Sequence, residues 1–192
     1  MNIDVWRGPF GDAYTARNHE QSGREQMFTE ILKVLPWQPE SILEVGANRG
    51  LNLDALAHLL PDADLIGLEP NAQAREQISC TAIDGAAQAI PLGDNSVDMA
   101  VTCGVLIHVP PEELGQACAE IYRVARKYIV CIEYFADKLE AIHYRGRNDL
   151  LWKQDFGKLY LDKFHDLKVL GCGFFWKPIT GLDNTTWWAF SK

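Results

Sequence analysis

The sequence predicts an α/β fold: a doubly wound, mostly parallel sheet of seven strands that ends in a C-terminal antiparallel hairpin. Three observations predict it. Short runs rich in Val, Ile, Leu and Ala alternate with helical patterns between residues 22 and 133. Those runs are almost continuously apolar, as strands covered on both faces must be. Two further β-like runs follow one another directly near the C-terminus, which fits an antiparallel pair.

Taken in order, Ser22-Gly-Arg-Glu25 reads as a capping box, and Met27, Phe28, Ile31 and Leu35 recur at helical spacing until Pro36. Ser41–Gly46 is the first strand. Leu53, Leu56, Ala57 and Leu60 make one helical face, stopped by Pro61. Asp64–Glu69 is the second strand, Ala72–Ile78 a helix, and Thr81–Ile83 a short third strand. Val97–Cys103 is the fourth. Pro111 suits the first turn of the next helix, with Glu112 and Glu113 at its positive end. Leu114, Ala117, Cys118, Ile121 and Tyr122 form its face, and Arg123, Arg126 and Lys127 its basic end. Tyr128–Glu133 is the fifth strand. Leu167–Trp176 and Thr185–Phe190 are the final pair, joined by KPITGLDN. Trp187 and Trp188 are adjacent in that last strand, so they face opposite sides of the sheet.

Composition narrows the class. The chain has 192 residues, 47% hydrophobic and 23% charged, which predicts a single packed domain over 1–192. With 18 Lys+Arg against 26 Asp+Glu the net charge is −8, and the basic footprint of a nucleic-acid binder is missing. The longest uncharged apolar stretch, Met99–Pro111, is broken by Gly, His and Pro, so no membrane span is expected. MNIDVWRGPF lacks the basic-then-apolar order of a leader. The five cysteines are widely spaced and odd in number, which reads as free thiols in a reducing compartment. A cytoplasmic location without a bound metal is therefore expected. The oligomeric state is not legible.

The chemistry concentrates at strand ends. Glu44-Val-Gly46-Ala47-Asn48-Arg-Gly50 leaves the first strand and opens a helix, with Gly46 for the tight turn and Gly50 for close approach. Glu69, followed by Pro70, ends the second strand where a carboxylate binds both hydroxyls of a ribose. Asp84-Gly85 follows the third strand, placed to meet an adenine edge. Gly104 and Val105 follow the fourth. An adenosyl-binding crevice needs these groups at successive strand ends in this order.

With that loop and those strand ends, the chain resembles class I S-adenosylmethionine-dependent methyltransferases, which have a Rossmann-like fold. ILEVGANRG matches their first motif except at Asn48, which stands where a glycine is often found. A narrower resemblance rests on FGDAYTARN, EVGANRGLNL, GVLIHVPPEEL, EYF and YRG…DFG, and points to methylases associated with pseudaminic acid biosynthesis. It implies S-adenosyl-L-methionine as cofactor and a small-molecule acceptor near sugar-acid pathways. It also implies that residues 1–20 are a lid on a core of 21–192, with Tyr14 or Arg17 reaching the donor's carboxylate.

Methyl transfer is an in-line displacement, so positioning dominates, with a base where the acceptor is a hydroxyl or amine. His108 in Gly104-Val-Leu-Ile-His108 is the base candidate, or else it caps the following helix. Glu133 ends the fifth strand and holds substrate or pairs with a neighbour. Tyr144 and Arg145 lie in a later polar segment, where Arg145 meets an anionic acceptor or forms a surface ion pair. His19, His58 and His165 are isolated, and His143 is weaker than its neighbours. Three other functions stay open: a nicotinamide-dependent oxidoreductase, a lyase or cyclase acting on the cofactor itself, and a binding protein without turnover.

Overall fold

The structure, a computed structural model, describes residues 3–19 and 22–192. Seven strands form the main sheet: β1 (Ser41–Val45), β2 (Asp64–Leu68), β3 (Thr81–Ile83), β4 (Val97–Cys103), β5 (Ala125–Glu133), β8 (Lys168–Phe175) and β9 (Thr185–Ser191). Between them β6 (Glu140–Ala141) and β7 (Trp152–Lys153) make a separate small hairpin. The main order is β3-β2-β1-β4-β5-β9-β8. The first five strands are parallel, and β9 runs antiparallel to both β5 and β8. The chain leaves β1 toward β2 on one side and returns to β4 on the other. The crevice therefore opens beyond the carboxyl ends of β1 and β4.

The helices are α1 (Ile3–Arg7), α2 (Pro9–Arg17), α3 (Arg24–Leu32), α4 (Leu51–Leu59), α5 (Ala72–Arg75), α6 (Pro111–Val124), α7 (Phe156–Lys163) and α8 (Lys177–Thr180). Buried residues of α3 and α4 cover one face of the sheet with Ile42, Met99 and Val130. Those of α6 and α7 cover the other with Leu43, Ala100 and Ile129. Neighbours on one strand thus serve opposite cores, as a doubly covered parallel sheet requires. Trp187 joins the first core and Trp188 the second.

Several local expectations change. Gly23, not Ser22, is the N-cap of α3, and no side chain caps that end. The helix after β2 stops at Arg75 rather than Ile78; Asn71 caps it by accepting the Ala74 N–H at 2.8 Å. β5 begins at Ala125, so Arg126 and Lys127 do not serve the end of α6. Both instead hold Asp98, which is fully buried at the start of β4: Arg126 Nε donates at 2.8 Å and Lys127 Nζ at 2.9 Å. A buried carboxylate demands such partners. The connection between β8 and β9 is not a plain hairpin loop, because Lys177–Thr180 make the short helix α8.

Candidate active site

Gly46, Ala47 and Asn48 cross from β1 toward α4 over the end of β2. The N–H groups of Gly46 and Ala47 both donate to the Leu68 carbonyl, at 2.8 and 3.0 Å. Gly46 has φ 72°, and a Cβ there would lie 2.6 Å from Cγ2 of Val105, so only glycine fits the tight turn. Asn48 adopts φ 49°, a left-handed conformation that asparagine tolerates better than most residues. Its N–H donates to Glu69 Oε2 at 2.7 Å, and its side-chain oxygen accepts from Thr15 Oγ1 at 2.9 Å. The residue that departs from the usual glycine is thus the one that receives the N-terminal segment.

A cavity lies on this loop, at the carboxyl ends of β1, β2 and β4. Gly46, Ala47, Asn48, Glu69, Pro70, Gly85, Gly104, Val105, Tyr14 and His108 all line it. Glu69 is 7% exposed; its second oxygen accepts the Asn71 N–H at 2.8 Å, and burial pushes its carboxyl up against those two hydrogen bonds. Each oxygen keeps a further lone pair for a ligand.

The cavity wall also contains residues that sequence reasoning missed. Glu44 is 2% exposed, and its Oε1 accepts from Asn52 Nδ2 at 2.5 Å. Arg24 donates to the Asn52 side-chain oxygen. Glu44 Oε2 is buried with no partner, and burial raises the carboxyl to about 8. An acidic residue inside the apolar run ILEV was the available signal. An orphaned carboxylate oxygen in a cavity wall is the complement of an ammonium group, and Glu69 is the complement of a diol. The residues therefore fit S-adenosylmethionine, which carries both.

The roof is the N-terminal segment. Asn71 Nδ2 donates to the Trp6 carbonyl at 3.0 Å and to Asp12 Oδ1 at 2.8 Å, tying α1 and α2 to the loop after β2. Arg7 donates to Asp84 Oδ1 at 2.9 Å. Asp84 is also 3.5 Å from Arg75, so its carboxylate is engaged by two cations beside the cavity rather than forming its wall. Gly50 caps α4 behind the loop, also outside the lining. Arg17 is exposed at the end of α2, and Thr15, Asn18 and Arg24 line the cavity near it. The expected lid of 1–20 includes Met1, Asn2 and Glu20, which lie outside the described residues.

His108 ends a 3₁₀ turn, Leu106–His108, and is 7% exposed. Burial depresses its imidazole to about 4, against the opposing effect of the hydrogen bond to Leu150, so the ring is neutral at physiological pH. Glu133 pairs with neighbouring groups at the end of β5. It is fully buried, and its carboxylate accepts the N–H groups of Val105, Leu106 and Ile107 at 3.1, 3.0 and 3.3 Å. Burial lifts the carboxyl to about 7, against those hydrogen bonds. It braces the turn that carries His108 and does not line the cavity. Tyr144 packs its ring 5.5 Å from that of His108. Arg145 is exposed at the tip of the β6–β7 hairpin, where Tyr144 and Arg147 exchange backbone hydrogen bonds of 2.8 and 3.0 Å. Arg145 and Gly146 have φ 49° and 81°, as a type I′ turn demands. Tyr14 is raised to about 12 by burial, so its phenol is protonated. No helix among the described residues is long and apolar enough to cross a membrane.

Comparison with known proteins gives the same architecture. Residues 43–132 match a family model described as a methyltransferase domain. No curated protein sequence is similar to the chain. Among solved structures, an S-adenosylmethionine-dependent methyltransferase from Leishmania major has a TM-score of 0.74 at 16% identity, covering 98% of this chain and 80% of that one. A 1,6-didemethyltoxoflavin-N1-methyltransferase from Burkholderia thailandensis, solved with 1,6-didemethyltoxoflavin and S-adenosylhomocysteine bound, scores 0.68 at 17% identity, covering 100% and 85%. Magnesium protoporphyrin IX methyltransferase from Synechocystis scores 0.68 at 13%, covering 99% and 94%. Residues 43–132 thus resemble a methyltransferase domain, in a chain that has the class I methyltransferase fold from end to end.

Proposed function

We propose that the chain is one domain, 1–192, that methylates a small molecule, a sugar acid or another carboxylate-bearing metabolite. The observation that carries this reading is the cavity at the carboxyl ends of β1, β2 and β4, where an orphaned Glu44 oxygen and the Glu69 carboxylate share one wall under an aromatic roof. The resemblance to pseudaminic acid-associated methylases supports a sugar-acid acceptor, and Arg145 supports an anionic one.

S-adenosylmethionine supplies a methyl group already activated on a sulfonium. The chain's own residues bind, orient and exclude water. Glu44 takes the ammonium, Glu69 the ribose hydroxyls, and the loop of Gly85 the adenine edge. Gly46, Ala47 and Asn48 form the floor, with Pro70, Gly104 and Val105 as walls. Residues 1–20 are the lid; Tyr14 packs over the donor, and Arg17 stands near its carboxylate end. His108 Nε2 takes the acceptor's proton. Tyr144 and Arg145 orient the acceptor, while Asp84 acts as the lid's anchor and Gly50 as the hinge of α4 onto the floor. The chain works away from nucleic acid and membranes, in the cytoplasm.

Calorimetry with S-adenosylhomocysteine and with NAD tests the donor assignment. Binding of the first alone is expected. Binding of NAD alone would replace methyl transfer with nicotinamide chemistry.

A further inference from the structure

Beside the donor cavity four rings close a circuit. Centroids lie 4.7 Å apart from Trp6 to His108, 5.5 Å from His108 to Tyr144, 6.5 Å from Tyr144 to Phe10 and 5.3 Å from Phe10 to Trp6. Three separate elements supply them: α1–α2, the turn after β4 and the β6–β7 hairpin. The circuit holds no ionised side chain. It does hold two unmet polar valences. The Trp6 indole N–H is buried without a partner in a residue 8% exposed. His108 donates through Nδ1 to the Leu150 carbonyl, which leaves the Nε2 lone pair for a ligand. The indole N–H calls for an acceptor and the imidazole lone pair for a donor, the two roles that a hydroxyl combines.

The rim differs in charge. The Arg145 guanidinium stands 5.5 Å from the Tyr144 ring centroid, and Lys153 Nζ 5.5 Å from that of Tyr134. Among the described residues neither has a carboxylate within 4 Å, whereas Arg147 is paired with Asp149 and Lys177 with Asp183. Lys153 faces Glu140 across the β6–β7 hairpin, so Arg145 is the cation beside the aromatic wall, and it calls for an anion on the ligand. A flat ring stacks there.

We propose that the methyl acceptor is a hydroxylated aromatic carboxylate, its ring against Trp6 and His108 where they line the cavity, its hydroxyl toward Trp6 Nε1 and His108 Nε2, and its carboxylate toward Arg145. This rests on the methyltransferase reading above and narrows its acceptor. The hydroxyl's proton passes to His108 Nε2 as the oxygen takes the methyl group, and the sulfonium's electron pair stays on sulfur as a neutral thioether.

The test titrates the full chain, saturated with S-adenosylhomocysteine, with 3,4-dihydroxybenzoate, catechol and glucuronate by calorimetry. Dihydroxybenzoate should bind about tenfold or more tighter than catechol, with glucuronate weakest. Arg145→Ala, at an exposed site, should abolish the difference between the two arenes. Trp6→Phe keeps a ring, removes the N–H, and should weaken both arenes. With S-adenosylmethionine, mass spectrometry should find the monomethyl ether. Tighter binding of glucuronate, equal binding of the arenes to the parent, or no arene binding overturns the proposal. The prior titration with S-adenosylhomocysteine reports separately on the donor: if it fails, the methyltransferase reading itself fails.

Discussion

His108 Nδ1 meets the Leu150 carbonyl at 2.5 Å across a separation of 42 residues. A carbonyl only accepts, so Nδ1 carries the proton and Nε2 the lone pair. The bond joins the turn after β4 to the β6–β7 hairpin and so fixes the tautomer a general base needs. With its imidazole held at about 4, His108 stays neutral from pH 6 to 8 and is a weak base. His108→Asn should lower kcat by about 10²-fold, the lower end of general-base effects, with donor affinity unchanged. The pH profile should be flat for this group near neutrality and fall toward pH 4. The sign for stability is the same. A depressed histidine takes up protons more readily when unfolded, so stability is full above the ordinary value of 6.5 and is lost as pH falls toward 4. An unchanged kcat in His108→Asn would leave the residue a purely structural role.

Glu44 has the opposite sign. Its carboxyl is raised to about 8, so the folded chain holds a proton that the unfolded chain has lost above 4.5. Its contribution to stability declines as pH rises from 4.5 to 8. An ammonium beside Oε2 favours the ionised form, so donor binding at pH 7 should release a proton. Calorimetry of S-adenosylhomocysteine binding in two buffers of different ionisation enthalpy measures this directly. Release should vanish in Glu44→Gln, and its absence in the parent would remove Glu44 from the ammonium's site.

Glu69→Ala should weaken donor binding by about 2–3 kcal/mol, because two ribose hydroxyls would lose a charged partner. The same change frees the N–H groups of Asn48 and Asn71, so Glu69→Gln is the cleaner comparison. Gly46→Val should abolish binding, since a Cβ there meets Val105 at 2.6 Å. Parent-like binding by Glu69→Ala would move the ribose elsewhere.

Arg145→Lys should raise the acceptor's KM about tenfold or more, because Lys cannot reproduce a two-point grip on a carboxylate. Among the described residues Arg145 has no carboxylate within 4 Å, so the melting temperature should not move. A lowered melting temperature with normal acceptor kinetics would take Arg145 out of the site.

The sheet was legible because its signals are short-range. Val97–Cys103 and Thr81–Ile83 are short, mostly apolar runs, and they are strands with those bounds. The helix from Pro111 carries its own start signal and an amphipathic face. What escaped depends on residues far apart in the chain. Asp98 holds Arg126 and Lys127 of β5 from the neighbouring strand β4, which no helix-end rule contains. The α1–α2 pair has little apolar periodicity because polar contacts to Asn71, Asp84 and Asn48 hold it. Nothing in the sequence sets Trp6 apart from the five other tryptophans, yet its ring meets His108, a contact that only tertiary structure creates. The Glu133 carboxylate faces inward onto the turn of residues 105–107, a direction that strand alternation alone does not give at a strand end.

Methyl transfer is tested most directly by the spent cofactor. The protein is incubated with S-adenosylmethionine and 3,4-dihydroxybenzoate, and separately with the small-molecule fraction of a cell extract, and the nucleosides are identified by mass spectrometry. The account predicts S-adenosylhomocysteine in step with a product heavier by one methylene. Methylthioadenosine, the mark of a lyase or cyclase acting on the donor itself, would contradict it.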